Sequence, residues 1–253
     1  MIKIHETVYY FGEFGYFNFI ILGNLEEYLL KNNCMLKIKT YEDYFKILNH
    51  KFPNCFLKSD ALDVSDRGTR MYHKIQNNSF NEKMVRCGYI PLEKLLKCDV
   101  IDWKDGRTKI KPIKNSLFIS KKEKKYISVL CRKRSIDLDR NLCFNSWEKI
   151  IKDIKKTYPE IELVFHGLKD ETLEIEGIFC SDILESISYL NNSIFFVSSM
   201  SGYAQFASNC ECSILQIGPE FQMIPYNPFK KTNLQLGRNE LSKTINYIKQ
   251  FSS

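Results

Sequence analysis

Three stretches in the second half of the chain carry side chains suited to a phosphorylated ligand: Ser198-Ser199-Met200-Ser201-Gly202, Cys131-Arg132-Lys133-Arg134, and His166-Gly167. Small hydroxyl residues and a glycine at a helix start can donate to phosphate oxygens while letting the anion approach the backbone. A guanidinium fork at Arg132 or Arg134 suits the same oxygens. Each stretch also has a plainer use: the serine turn as ordinary capping, the basic triplet as a solvated loop, His166 as a satisfied polar residue at a strand end. Glu220, just past Gly218-Pro219, is either a partner for ligand hydroxyls or an exposed loop carboxylate.

A parallel sheet would place these stretches, because open α/β sheets bind ligands at the carboxyl ends of their strands. The pattern predicts strands over residues 126–131, 161–165, 194–197 and 213–217. Helices fall between them: 145–157 with an apolar stripe at Trp147, Ile150, Ile151 and Ile154, 181–190 capped by Ser181, and the short 203–208 starting at Tyr203. A last helix covers 240–251. In the first half, strands at 7–11, 35–39 and 55–57 alternate with helices through 17–29 and 41–50, and the turn Gly12-Glu13-Phe14-Gly15 follows the first strand. Residues 60–88 are polar and weakly periodic, with a helix near 67–75, and 90–96 reads as a short helix started by Pro91. The basic, proline-containing stretch up to Lys125 reads as a connector. The expected architecture is therefore α/β with parallel sheets, in a first domain over 1–115 and a second over 116–235. Residues 236–253 form a terminal helix able to return to the first domain.

Length and composition narrow the function classes. A chain of 253 residues with 44% hydrophobic content can bury one large core or two small ones. Its nine cysteines are scattered without a C-x-x-C pair, so reduced thiols are expected, and Cys210-x-Cys212 lacks further ligands at zinc spacing, so no metal centre is expected. No long uncharged apolar run and no signal-peptide pattern are present, which leads to an expectation of a cytoplasmic protein with at most peripheral membrane contact. The formal charge of +7 favours anionic partners, but no nucleic-acid reading motif accompanies it and no nucleic-acid partner is expected. Phe14, Tyr16 and Phe17 offer either an aromatic stacking surface or core packing.

From Asp182 to Pro219 the sequence, DILESISYLNNSIFFVSSMSGYAQFASNCECSILQIGP, resembles the carboxyl-terminal core of GT-B glycosyltransferases, above all the heptosyltransferase-like and fucosyltransferase-like groups. The shared order is helix, buried strand, hydroxyl-rich turn with glycine, short helix, strand, Gly-Pro. The resemblance implies two Rossmann-like domains facing a cleft. It also implies transfer of a sugar from a nucleotide-diphosphate donor to a hydroxyl of a glycan or related acceptor, inverting and metal-independent. A nucleotide-sugar epimerase or hydrolase, or a non-catalytic binding module, would share the architecture. The donor's diphosphate would lie against Ser198, Ser199, Ser201, Gly202 and Tyr203, with Arg132, Arg134, His166, Gly167 and Glu220 nearby. Heptosyltransferase-like enzymes also open on a strand, a Gly-acidic turn and a helix. By that resemblance Glu13 is the base, with Gly12, Gly15 and Tyr16 on the acceptor side. The donor is a substrate, and no other cofactor is implied.

Overall fold

Alternating strand and helix segments build two parallel sheets, one in each of two units, Met1–Lys114 and Asn115–Ser253. The computed structural model describes residues 4–12, 14–59, 78–98, 117, 124–133, 141–167, 172, 176–199, 201–218 and 233–251.

The first unit holds a four-stranded sheet in the order β3-β2-β1-β4: β1 (Ile4–Tyr10), β2 (Met35–Thr40), β3 (Phe56–Lys58) and β4 (Ile90–Pro91), paired in parallel throughout. Along β2, Leu36, Ile38 and Thr40 are buried while Met35, Lys37 and Lys39 are half-buried, the alternation that the strand pleat dictates. Past Gly12 the chain enters a helical run made of α1 (Phe14–Tyr16), a π-helical turn (Phe17–Ile21) and α2 (Leu22–Asn32). Asn33, in the left-handed region, ends it and donates its backbone N–H to Leu29 O. Helix α3 (Glu42–Lys51) supplies Tyr44, whose ring stacks on Phe17 at 4.4 Å and meets Tyr10 at 5.9 Å. These rings join Val8, Leu25, Leu36 and Ile38 in the core of the unit and leave Phe17 fully buried, so Phe17 packs rather than offering a sugar surface.

Helix α4 (Asn78–Arg86) was not expected, and residues 67–75 lie outside the described residues. Pro91 does not start a helix over 90–96. Ile90 and Pro91 pair with Val8 and Tyr9 as an edge strand, where proline's missing N–H is tolerated, and α5 (Leu92–Leu95) begins only afterwards.

The second unit holds a six-stranded sheet in the order β10-β9-β8-β5-β6-β7. Its strands are β5 (Tyr126–Leu130), β6 (Glu162–His166), β7 (Ile178–Cys180), β8 (Ser193–Ser199), β9 (Ser213–Gly218) and β10 (Asn233–Gly237). One face is apolar: Ile127, Val129, Phe165, Phe195, Val197, Leu215 and Ile217 pack with Trp147, Ile150, Ile151 and Ile154 of α6 (Phe144–Thr157). The pleat sends Ser128, His166, Phe196, Ser198 and Gln216 to the other face. There α7 (Ile183–Asn191) lies on β5 and β8, and α8 (Gly202–Ala207) on β9.

Two local expectations change. Asp182, not Ser181, caps α7: its carboxylate accepts from the N–H of Leu184 at 2.9 Å and of Glu185 at 3.0 Å. The terminal segment belongs to the second unit rather than returning to the first. The added strand β10 carries the chain beside β9, after which α9 (Thr244–Gln250) packs on α6. Tyr158 donates its hydroxyl to Ile248 O at 3.0 Å, and Phe251 stacks on Phe195 at 5.0 Å. No helix among the described residues is long and apolar enough to cross a membrane.

Candidate functional site

The carboxyl end of β8 carries the most unusual polar chemistry of the second unit. Ser198 and Ser199 close the strand and are fully buried, flanked by Leu130 of β5 and by Gln216 and Ile217 of β9. Ser201 follows at the position that caps α8. It is extended, φ −159° and ψ 159°, and its side chain makes no capping hydrogen bond. A serine in that place normally returns its oxygen to the helix N–H groups. Here its backbone carbonyl accepts from Ala204 N–H at 3.1 Å. The Oγ atoms of Ser198, Ser199 and Ser201 are all buried and all lack a hydrogen-bond partner among the described residues. Each such hydroxyl costs about 1–3 kcal/mol in the free protein. Ordinary capping therefore does not account for the turn.

His166 is the last residue of β6. It is fully buried on the α7 side. Its Nε2 meets Ser128 Oγ at 2.8 Å, and its Nδ1 meets Ser186 Oγ at 3.3 Å and the Tyr203 hydroxyl at 3.5 Å. Burial pushes its pKa down to about 3, so the ring is neutral at ordinary pH. Both ring nitrogens face hydroxyls of the protein itself. Gly167 is required by the turn that follows: at φ +116° a Cβ would lie 2.8 Å from Leu130 Cδ1 and 2.9 Å from Thr172 Oγ1.

Arg132, just past β5, is buried and forms an isolated antiparallel bridge with Thr172. Its neighbour Lys133 is exposed. Tyr203 is buried against Phe196 and Phe206, with ring centroids at 6.1 and 5.1 Å. The structure thus brings Ser198, Ser199, Ser201, Gly202 and Tyr203 into one turn, with Arg132 at the end of the adjoining strand. Arg134 and Glu220 lie outside the described residues, as does Glu13.

In the first unit, Gly12 follows the central strand β1, and its carbonyl accepts the Tyr44 hydroxyl at 3.0 Å. A Cβ there would sit 2.6 Å from the Tyr10 hydroxyl oxygen, so glycine is demanded by close packing. Gly15 is buried within α1. The backbone of Tyr16 belongs to the same helix, and its side chain lies outside the described residues.

Sequence reasoning missed Ser128, Ser186, Ser193 and Gln216. The available signal was a polar residue inside an otherwise apolar strand, as at Ser128 in YISVL and Gln216 in SILQIG. The thiols of Cys131, Cys180 and Cys210 are pushed up by burial, which makes them inert packing groups. Among the described residues no group of three His, Cys, Asp or Glu side chains is placed to hold a metal ion.

No protein-family model matches the chain, and no curated protein matches it by sequence. Solved structures match it in fold. The E. coli ADP-heptose LPS heptosyltransferase II superposes with a TM-score of 0.63 over 98% of this chain and 98% of that one, at 8% identity. The E. coli heptosyltransferase WaaC with ADP gives 0.58 over 97% and 95%, at 12% identity. A glycosyl transferase family 9 protein of Veillonella parvula gives 0.54 over 99% and 91%, at 10% identity. Together with the two parallel sheets these likenesses settle the architecture: the chain has the GT-B fold of the heptosyltransferases, two Rossmann-like α/β units in succession.

Proposed function

We propose that the chain is a glycosyltransferase that moves a sugar from a nucleotide-diphosphate donor to a hydroxyl of a glycan or related acceptor, with inversion and without a metal. The observation that carries the reading is the trio of buried, unpartnered hydroxyls of Ser198, Ser199 and Ser201 at the carboxyl end of a central strand. That edge is where open parallel sheets bind ligands, and diphosphate oxygens are acceptors for three such donors. The fold likeness to a heptosyltransferase solved with ADP supports the same class of donor.

In this reading Glu13 takes the proton of the acceptor hydroxyl. The freed oxygen lone pair forms the new bond to the anomeric carbon, while the bond from that carbon to the diphosphate oxygen breaks and its electron pair leaves with the diphosphate. The serine hydroxyls and the guanidinium groups of Arg132 and Arg134 meet the charge gathering on the leaving group, the work a metal ion does in other transferases. Glu13 follows the central strand β1 directly after Gly12, the chain position at which a sheet edge presents catalytic residues.

The test is a thermal-shift panel of ADP, UDP, GDP and dTDP, with the matching nucleotide sugars, followed by an acceptor screen with and without EDTA. A nucleotide at about one hundred times its Kd stabilises the folded form by about 2.7 kcal/mol. One nucleotide should shift the transition, and its sugar should be transferred at a rate indifferent to EDTA. No shift with any nucleotide would overturn the reading. Donor consumption without acceptor would redirect it to a hydrolase or epimerase.

A further inference from the structure

The hydrogen bonds on the Nε2 side of His166 fix which atom donates in each. Ser193 Oγ lies 2.9 Å from the backbone carbonyl of Tyr189, which can only accept, so Ser193 donates there. Its hydrogen spent, Ser193 accepts from Ser128 Oγ at 2.7 Å. Ser128 has then used its own hydrogen, so the 2.8 Å contact with His166 Nε2 requires Nε2 to donate. The neutral ring carries one hydrogen, and Nδ1 is left with an open lone pair.

Two hydroxyls face that lone pair, Ser186 Oγ at 3.3 Å and the Tyr203 hydroxyl at 3.5 Å. Ser186 has a second acceptor, Cys180 Sγ, also at 3.3 Å. Tyr203 is the second residue of α8 and stands two positions after Ser201. Its ring packs 5.7 Å from the imidazole. The chain of bonds therefore runs from the start of β8, across β5 and β6, and back to the helix that follows the end of β8.

We infer that His166 is a positioning residue: the one-way chain Ser193, Ser128, His166 locks the ring as its Nε2–H tautomer, so that Nδ1 fastens Tyr203 and, through Tyr203, the turn bearing Ser198, Ser199 and Ser201. The inference deepens the donor-site reading and rests on it for its functional meaning. His166 touches no substrate. It holds the backbone of the serine turn against the sheet, so that the three hydroxyls stay aimed rather than relaxing onto partners of their own.

Two readouts on the ligand-free protein test it. In protein labelled with 15N-histidine, the His166 signals, assigned by their loss in His166→Gln, should show Nδ1 unprotonated and Nε2 protonated at neutral pH. Ser128→Ala should abolish that preference. In hydrogen exchange, Tyr203→Phe should speed the amides of residues 201–207 by about threefold to tenfold, the loss of one net hydrogen bond. The amides of α6 should stay unchanged. An Nδ1–H or mixed tautomer in the wild type, no acceleration in 201–207, or equal acceleration in α6 would each overturn the inference. Because neither readout uses a nucleotide, failure of ADP and its relatives to bind would sink the transferase reading alone.

Discussion

The buried imidazole makes the second unit acid-sensitive in a way that can be isolated. Burial lowers the pKa of His166 from 6.5 to about 3, and its ring contacts are Tyr189, Phe196 and Tyr203 with Ser128 and Ser186 on the nitrogens, none of them a carboxylate able to hold a charged ring. A base whose folded pKa is depressed stays neutral in the native state while the unfolded chain takes up the proton. Its contribution to stability is therefore complete above pH 6.5 and is lost as the pH falls towards 3. Linkage across that interval gives a total loss of about 5 kcal/mol, of which about 2 kcal/mol has gone by about pH 5. The assay is urea unfolding from about pH 7.5 to about pH 5, comparing the native sequence with His166→Gln. The chain has two tryptophans, Trp103 and Trp147, so a Trp103→Phe background leaves Trp147, buried under the second sheet, as the sole indole reporter. The native histidine should give the steeper fall by about 2 kcal/mol, since carboxylate titrations are common to both proteins and cancel. Parallel falls would refute the argument, because they would mean that the imidazole finds a way to charge inside the fold.

Three further outcomes follow from named contacts. Asp182→Ala should destabilise the second unit by about 1 kcal/mol through the loss of both capping bonds, read as a lower urea midpoint. Gly167→Ala should cost more than about 1 kcal/mol, because its φ of +116° and the crowding of Leu130 and Thr172 both oppose a Cβ. Glu13→Gln should lower turnover by about 10²–10⁴ and leave the donor Kd unchanged, checked by steady-state rates beside calorimetric titration.

How much of this was legible in the sequence depended on the length of each signal. The stripe of Trp147, Ile150, Ile151 and Ile154 announced α6, and the unbroken run at 194–197 announced β8, because both repeat over enough residues to fix a period. The strands β4 and β7 have two and three residues, too few for alternation to appear, and owe their state to pairing with β1 and β6. The serine turn was visible as a hydroxyl cluster ahead of a glycine. The orientation of His166 was not: a strand-end side chain changes faces with a shift of one residue. Its partners Ser128 and Ser186 lie 38 and 20 residues away in the chain.

Two sets of buried serines share this unit, and their contrast carries the functional argument. Ser128 bonds Ser193 and His166, Ser193 donates to Tyr189 O, and Ser186 faces His166 Nδ1 and Cys180 Sγ. Ser198, Ser199 and Ser201 are as deeply enclosed at the Oγ and engage nothing among the described residues, although Gln216, whose Oε1 is also unpartnered, pairs with Ser198 across the strands. Alanine would fill nearly the same volume without an unsatisfied oxygen, so as packing these hydroxyls are a net loss of about 1–3 kcal/mol each. In the proposed reading, the diphosphate of the donor satisfies them at the carboxyl end of the strand. The double variant Ser199→Ala, Ser201→Ala should accordingly unfold at a higher urea concentration than the native chain when no nucleotide is present, and should lose most of the thermal shift that a nucleotide diphosphate produces. If the variant is instead less stable, the hydroxyls already have partners in the free protein, and the reason for placing a diphosphate there disappears.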